Sequence, residues 1–207
     1  MAPPPPPPPV TVIIAVDTSG SMSEDHEDHR SFPAREAAKA AKAFVDAVDL
    51  SHFSIGVMAF ADKCGLICPP SKDARQIKSA ISQFENYANN RIVGVTNKTD
   101  PFDAIRTLLN DDLETLLRGN GFSNQIKYAV VLTDGRWAHQ GAAKSAAFQC
   151  HKAGIEVVAL GFGDADGEFL KALASKPEYS RFTNLNELIA TFKDFARQII
   201  HDSISRG

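Results

Sequence analysis

Asp17-Thr18-Ser19-Gly20-Ser21 is the stretch in this chain whose residue types and spacing are best suited to chemistry. A carboxylate and two hydroxyls stand at positions i, i+2 and i+4, with a glycine that lets the backbone turn sharply. Hard oxygen donors on one tight turn suit a hard divalent cation, Mg²⁺ first, with Mn²⁺ or Ca²⁺ as alternatives. The plainer reading is a polar turn in which Asp17 and Ser19 only cap backbone groups. Two further segments carry donors of the same kind. Thr133-Asp134-Gly135 repeats the pattern of an apolar run closing on an aspartate and a glycine, and Thr99 opens a helical pattern that follows Asp100-Pro101. Asp17, Ser19, Ser21, Thr99 and Asp134 together offer two carboxylates and three hydroxyls. Mg²⁺ takes about six ligands. Such a shell leaves one place open on a cation that still attracts anions, and a carboxylate from a partner's Asp or Glu would fill it.

The elements that must position these groups read as an alternation of strands and helices. Val10 to Val16 is apolar without alternation, as expected of a strand covered on both faces in a parallel sheet. After a polar loop from Ser23 to Ser31, Pro33 opens a helix whose Ala34, Ala37, Ala38, Ala41, Val45 and Val48 form a small-residue stripe. Phe53 to Ala61 and a short return over residues 63–68 are expected to form an antiparallel edge hairpin, because the link is too short for a helical crossover. Cys64 and Cys68 would share one face of that return strand as buried small hydrophobes, and Pro69-Pro70-Ser71 would end it. Helices are expected at Asp73–Phe84, Gln140–Ala153 and Gly167–Ser175. Buried strands are expected at Ile126–Thr133 and Glu156–Leu160, and a last short strand at Arg181–Thr183. Asn184-Leu185-Asn186-Glu187 looks like a capping signal for a long final helix with Leu188, Ile189, Phe192, Phe195, Ile199 and Ile200 on its apolar face. The pattern predicts an α/β, Rossmann-like, doubly wound three-layer sandwich: a mostly parallel sheet, one antiparallel edge strand and helices on both faces. In such a sheet the first and fourth main strands flank the switch point, so the Asp17 and Asp134 ends converge.

Bulk properties narrow the function. With 207 residues, 43% of them hydrophobic, the chain has material for one domain over 10–207, preceded by a proline-rich leader at 1–9. Twenty-two basic against 25 acidic residues supply no field for nucleic acid. No apolar run reaches the length of a membrane span. Three cysteines and no visible secretory signal fit a cytoplasmic protein.

Asp17-x-Ser19-x-Ser21, the distant Thr99-Asp100 and Thr133-Asp134-Gly135, in this element order, resemble the von Willebrand factor type A (VWA) domain, over nearly the whole chain. The resemblance implies a metal-ion-dependent adhesion site. Ser19 and Ser21 would bind the ion directly, Asp17 and Asp134 directly or through water, and Thr99 directly when a ligand is engaged. It also implies binding rather than catalysis, by a monomeric adaptor of the kind found beside ATPases or kinases in stand-alone bacterial members. Two departures stand out. Val95-Thr96-Asn97-Lys98 replaces the glycines often found before the threonine, which makes Thr96 a rival to Thr99. The polar stretch from Ser23 to Phe32 is also long. Lys98, Trp137, His26 and His29 are expected on the partner-binding rim, although Trp137 could equally pack against the helix that follows it. The competing functions are a metal-assisted hydrolase, which needs a base near the ion, and a VWA scaffold whose metal site is vestigial. Walker A, Gly-x-Ser-x-Gly and Gly-x-Gly-x-x-Gly motifs are absent from the sequence.

Overall fold

A computed structural model describes residues 8–19, 22, 33–61, 64–84, 125–134, 137 and 139–205. Six strands form one sheet: β1 (Val10–Asp17), β2 (Phe53–Phe60), β3 (Cys64–Ser71), β4 (Ile126–Thr133), β5 (Ile155–Gly161) and β6 (Ser180–Phe182). Their spatial order is β3-β2-β1-β4-β5-β6. Every neighbouring pair is parallel except β2 with β3. Five α-helices are described: α1 (Pro33–Ala47), α2 (Ala74–Ser82), α3 (Gln140–Lys152), α4 (Gly167–Leu173) and α5 (Leu188–Ile204). None of them is long and apolar enough to cross a membrane.

The unbroken apolar run of β1 has the burial it predicts. Val12, Ile13, Ile14, Ala15 and Val16 alternate between two cores and are all fully buried. Each buried valine or isoleucine contributes about 1.5–3 kcal/mol relative to exposure. One core lies under α1, α2 and α5, the other under α3 and α4. The alanine face of α1 lets that helix lie close, and Phe44 meets Phe192 of α5 edge-on, with centroids 5.6 Å apart. This is the expected three-layer sandwich.

Four local expectations are corrected. Cys64 and Cys68 do not share a face: Cys64 enters the α3/α4 core and Cys68 the α1/α2/α5 core. The cause is an irregularity in the pairing with β2, where Val57 faces Cys68 but Met58 faces Leu66. One extra residue on a strand reverses the side-chain alternation beyond it. Second, β3 does not stop at Pro69-Pro70 but runs to Ser71, which pairs with Ile55. Proline is tolerated because β3 is an edge strand and needs no amide on its outer side. Third, the Asn184–Glu187 turn does not cap α5 by a side chain. The Asn184 carboxamide oxygen accepts the Glu187 amide one step earlier, and Glu187 at the N-cap position makes no side-chain cap bond. Asp73 and Asp166 do cap their helices, α2 and α4. Fourth, the final strand ends at Phe182, one residue before the expected Thr183.

Candidate functional site

Register brings the two aspartate turns together. β1 and β4 are adjacent and parallel, with Val16 opposite Leu132, so the next residues, Asp17 and Thr133, lie side by side at the carboxyl ends of the strands. The Thr133 hydroxyl donates to Asp17 Oδ2 at 2.6 Å. The Ser19 amide donates to Asp17 Oδ1 at 2.8 Å, the local bond of an Asx-type turn. Thr18 fastens the same turn to β2: its amide and its hydroxyl both donate to the Phe60 carbonyl, at 2.7 and 3.0 Å. Met22 closes the turn by donating its amide to the Ser19 carbonyl, and its side chain is fully buried.

Asp17 and Asp134 are 4% and 2% exposed, so two carboxylates are held almost out of water at one end of the sheet. Burial pushes the Asp17 carboxyl up from its ordinary range, against the Thr133 hydroxyl and the Ser19 amide, which favour the ionised form. Asp17 Oδ1 accepts the Ser19 amide and Oδ2 the Thr133 hydroxyl, and the Ser19 side chain adds a further hydrogen bond that favours the ionised form.

Asp134 is braced from the β5 side. The Phe162 amide donates to the Thr133 carbonyl at 3.2 Å and the Asp164 amide to the Asp134 carbonyl at 2.9 Å. Gly163, between them, has φ +61°, and a Cβ there would come within 3.2 Å of the Asp134 carbonyl oxygen. The turn therefore needs glycine for both its conformation and its closeness.

Trp137 is half-buried, and its indole N–H donates to Thr133 Oγ1 at 3.0 Å. Its ring meets Phe60 of β2 and Phe169 of α4 edge-on, with centroids 5.0 and 5.3 Å away. It packs against those two rings, at the edge of the core under α3 and α4. Of the expected ion ligands, Asp17, Ser19 and Asp134 lie among the described residues. Ser21 and Thr99 lie outside them, as do Thr96, Lys98, His26 and His29. The roles of Thr133, the Phe60 carbonyl and the Gly163 turn were not foreseen. They depend on strand register, although Thr133 stands in the Thr-Asp-Gly motif itself.

The donors are all oxygens, which suits a hard cation. Among the described residues, no group of three or more His, Cys, Asp or Glu is placed to hold an ion. A complete shell here would have to draw on hydroxyls as well as on Asp17 and Asp134.

The sequence model of the von Willebrand factor type A domain matches residues 11–198. The chain belongs to this family. No curated protein matches the VWA sequence. Among solved structures, it is similar to proximal thread matrix protein 1 from the mussel byssus, at 19% identity and TM-score 0.70, covering 92% of this chain and 48% of that one. A further structure of that mussel protein, described as having a zinc-occupied MIDAS motif, matches at 20% identity and TM-score 0.68, over 92% and 48%. This VWA chain thus spans about half the length of the mussel protein. The vWF domain of the type V pili tip protein Mfa5 from Porphyromonas gingivalis matches at 12% identity and TM-score 0.69, over 98% of each chain. At these identities the likeness is one of fold.

Proposed function

We propose that this VWA domain is a protein-interaction module that binds a partner's Asp or Glu carboxylate through a Mg²⁺ ion held by Asp17, Ser19, Ser21, Thr99 and Asp134. The observation that carries this reading is the pair of nearly buried carboxylates, Asp17 and Asp134, at the ends of adjacent strands. Burying two negative charges in one place is costly unless something neutralises them, and a divalent cation does so with the oxygen donors present. The zinc in the MIDAS motif of the mussel protein supports the same use of this end of the fold. Such an ion supplies a positive centre with an open place for an anionic ligand. The chain's own part is to hold the donors rigid. The reading is binding rather than hydrolysis because the family whose model matches residues 11–198 is typically an interaction module.

Thermal unfolding with increasing Mg²⁺ tests the reading. An ion that binds only the folded chain stabilises it by about 2.7 kcal/mol at a hundred times its Kd, roughly 5–10 °C in Tm for a domain of this size. EDTA should abolish the shift, and so should Ser19→Ala combined with Ser21→Ala. A scaffold with a vestigial site would show no shift in the unaltered chain.

A further inference from the structure

We infer that Trp137 is a positioning residue of the ion site: its indole N–H directs the Thr133 hydroxyl onto Asp17, and its ring ties that bond to β2 and α4. The inference rests on the ion-site reading above and adds a part to it. An indole N–H can only donate, whereas a hydroxyl has one hydrogen and two lone pairs. With Trp137 Nε1 3.0 Å from Thr133 Oγ1, and Oγ1 2.6 Å from Asp17 Oδ2, the directions follow. Trp137 gives its hydrogen to Thr133, and Thr133 gives its own to the carboxylate. Thr133 is fully buried, so little water competes for its hydroxyl.

The far side of the relay is equally well held. Phe60 and Phe169 contact the indole edge-on. Phe60 is also the residue whose carbonyl anchors both the amide and the hydroxyl of Thr18. Phe169 lies in α4, just after the turn whose Asp164 amide holds the Asp134 carbonyl. One ring therefore sits between the supports of both carboxylates. An ion that draws on Asp17 changes the demand on Thr133 and hence the surroundings of the indole. Trp137 is the one tryptophan in the sequence, so its emission reports that change without a label.

The test titrates the metal-free full chain with MgCl₂, following tryptophan emission and Tm together. The unaltered chain should show a saturable emission change with the same midpoint as its Tm shift. Replacing Trp137 by benzothienylalanine substitutes sulfur for the N–H in a side chain of the same shape, and Trp137→Phe removes the donor by ordinary mutation. Because an ion on Asp17 raises the demand on the Thr133 hydroxyl, loss of the N–H should raise the Mg²⁺ midpoint by up to about tenfold. The metal-free Tm of the benzothienylalanine chain should fall as well, since the bond is made without the ion. An unaltered midpoint in that chain, even with a lowered metal-free Tm, would mean that Trp137 only packs, and would overturn the inference while leaving the ion site standing. If the unaltered chain shows neither a Tm shift nor an emission change with Mg²⁺, the ion site itself is refuted and the inference with it.

Discussion

Asp17 carries opposing forces whose balance depends on pH. Burial raises its carboxyl pKa, and the Thr133 hydroxyl and Ser19 amide offset only part of that. A folded-state pKa above the unfolded one means that the folded chain holds the proton more tightly. The stability contributed in this way is present below the unfolded pKa and lost as pH rises through the folded value. Without metal, Asp17→Asn should therefore gain on the unaltered chain as pH rises from acid to neutral. Tm measured across pH in EDTA checks this, and saturating Mg²⁺ should reverse the order at neutral pH by favouring the carboxylate. Gly163 offers a second residue-level test. Its φ of +61° and the 3.2 Å approach of a Cβ to the Asp134 carbonyl make Gly163→Ala strained. A loss of about 1–2 kcal/mol in urea unfolding is expected, accompanied by weaker Mg²⁺ stabilisation because the Asp134 turn is displaced.

At the level of elements, the final helix is tied down away from the ion site. Tyr179, fully buried just before β6, donates its hydroxyl to Asp202 of α5, and Lys176 reaches the same carboxylate at 3.5 Å. Burial alone would raise the Asp202 pKa, but the Tyr179 hydroxyl and the Lys176 charge outweigh it and hold the carboxyl below its ordinary range. Burial first, and then the bond to Asp202, push the Tyr179 phenol well above its own range. Tyr179→Phe should cost about 1–2 kcal/mol. The low end is expected because Asp202 and Lys176 are 21% and 34% exposed and solvent screens their charges. A depressed carboxylate stabilises the fold above its unfolded pKa and ceases to do so as pH falls through the folded value. The Tm gap between the unaltered chain and Tyr179→Phe should therefore close toward acid pH. The same scale shows where sequence patterns stop being informative. Unbroken apolar runs place β1 and β5 well, but the two-residue period put Cys64 and Cys68 on one face because the pairing irregularity opposite Val57 and Met58 leaves no mark in composition. Asn184 carries a capping residue's chemistry and uses it on the preceding turn.

For the whole molecule, the layer order was legible because its elements are strongly patterned. The apolar runs of β1, β4 and β5 have no alternation, and the alanine stripe of α1 fits only a closely packed face. The proximity of Asp17 and Asp134 could be expected from the switch-point rule. The Thr133–Asp17 and Trp137–Thr133 bonds could not, since they depend on Val16 lying opposite Leu132. The two cores are joined through the sheet, so a defect in one should unfold both. Phe192→Ala, which removes the ring packed on Phe44, should cost about 3–5 kcal/mol, roughly 10 °C in a single cooperative transition by calorimetry. The central claim is that the Asp17 and Asp134 turns form one cation site at the carboxyl end of β1 and β4. Its most direct measurement is electron paramagnetic resonance of Mn²⁺ added to the metal-free chain. The account predicts one bound Mn²⁺ per chain, displaced by excess Mg²⁺ and lost in Asp17→Ala and in Asp134→Ala. Mn²⁺ that stays free in the unaltered chain, or that binds equally well after both substitutions, would contradict it.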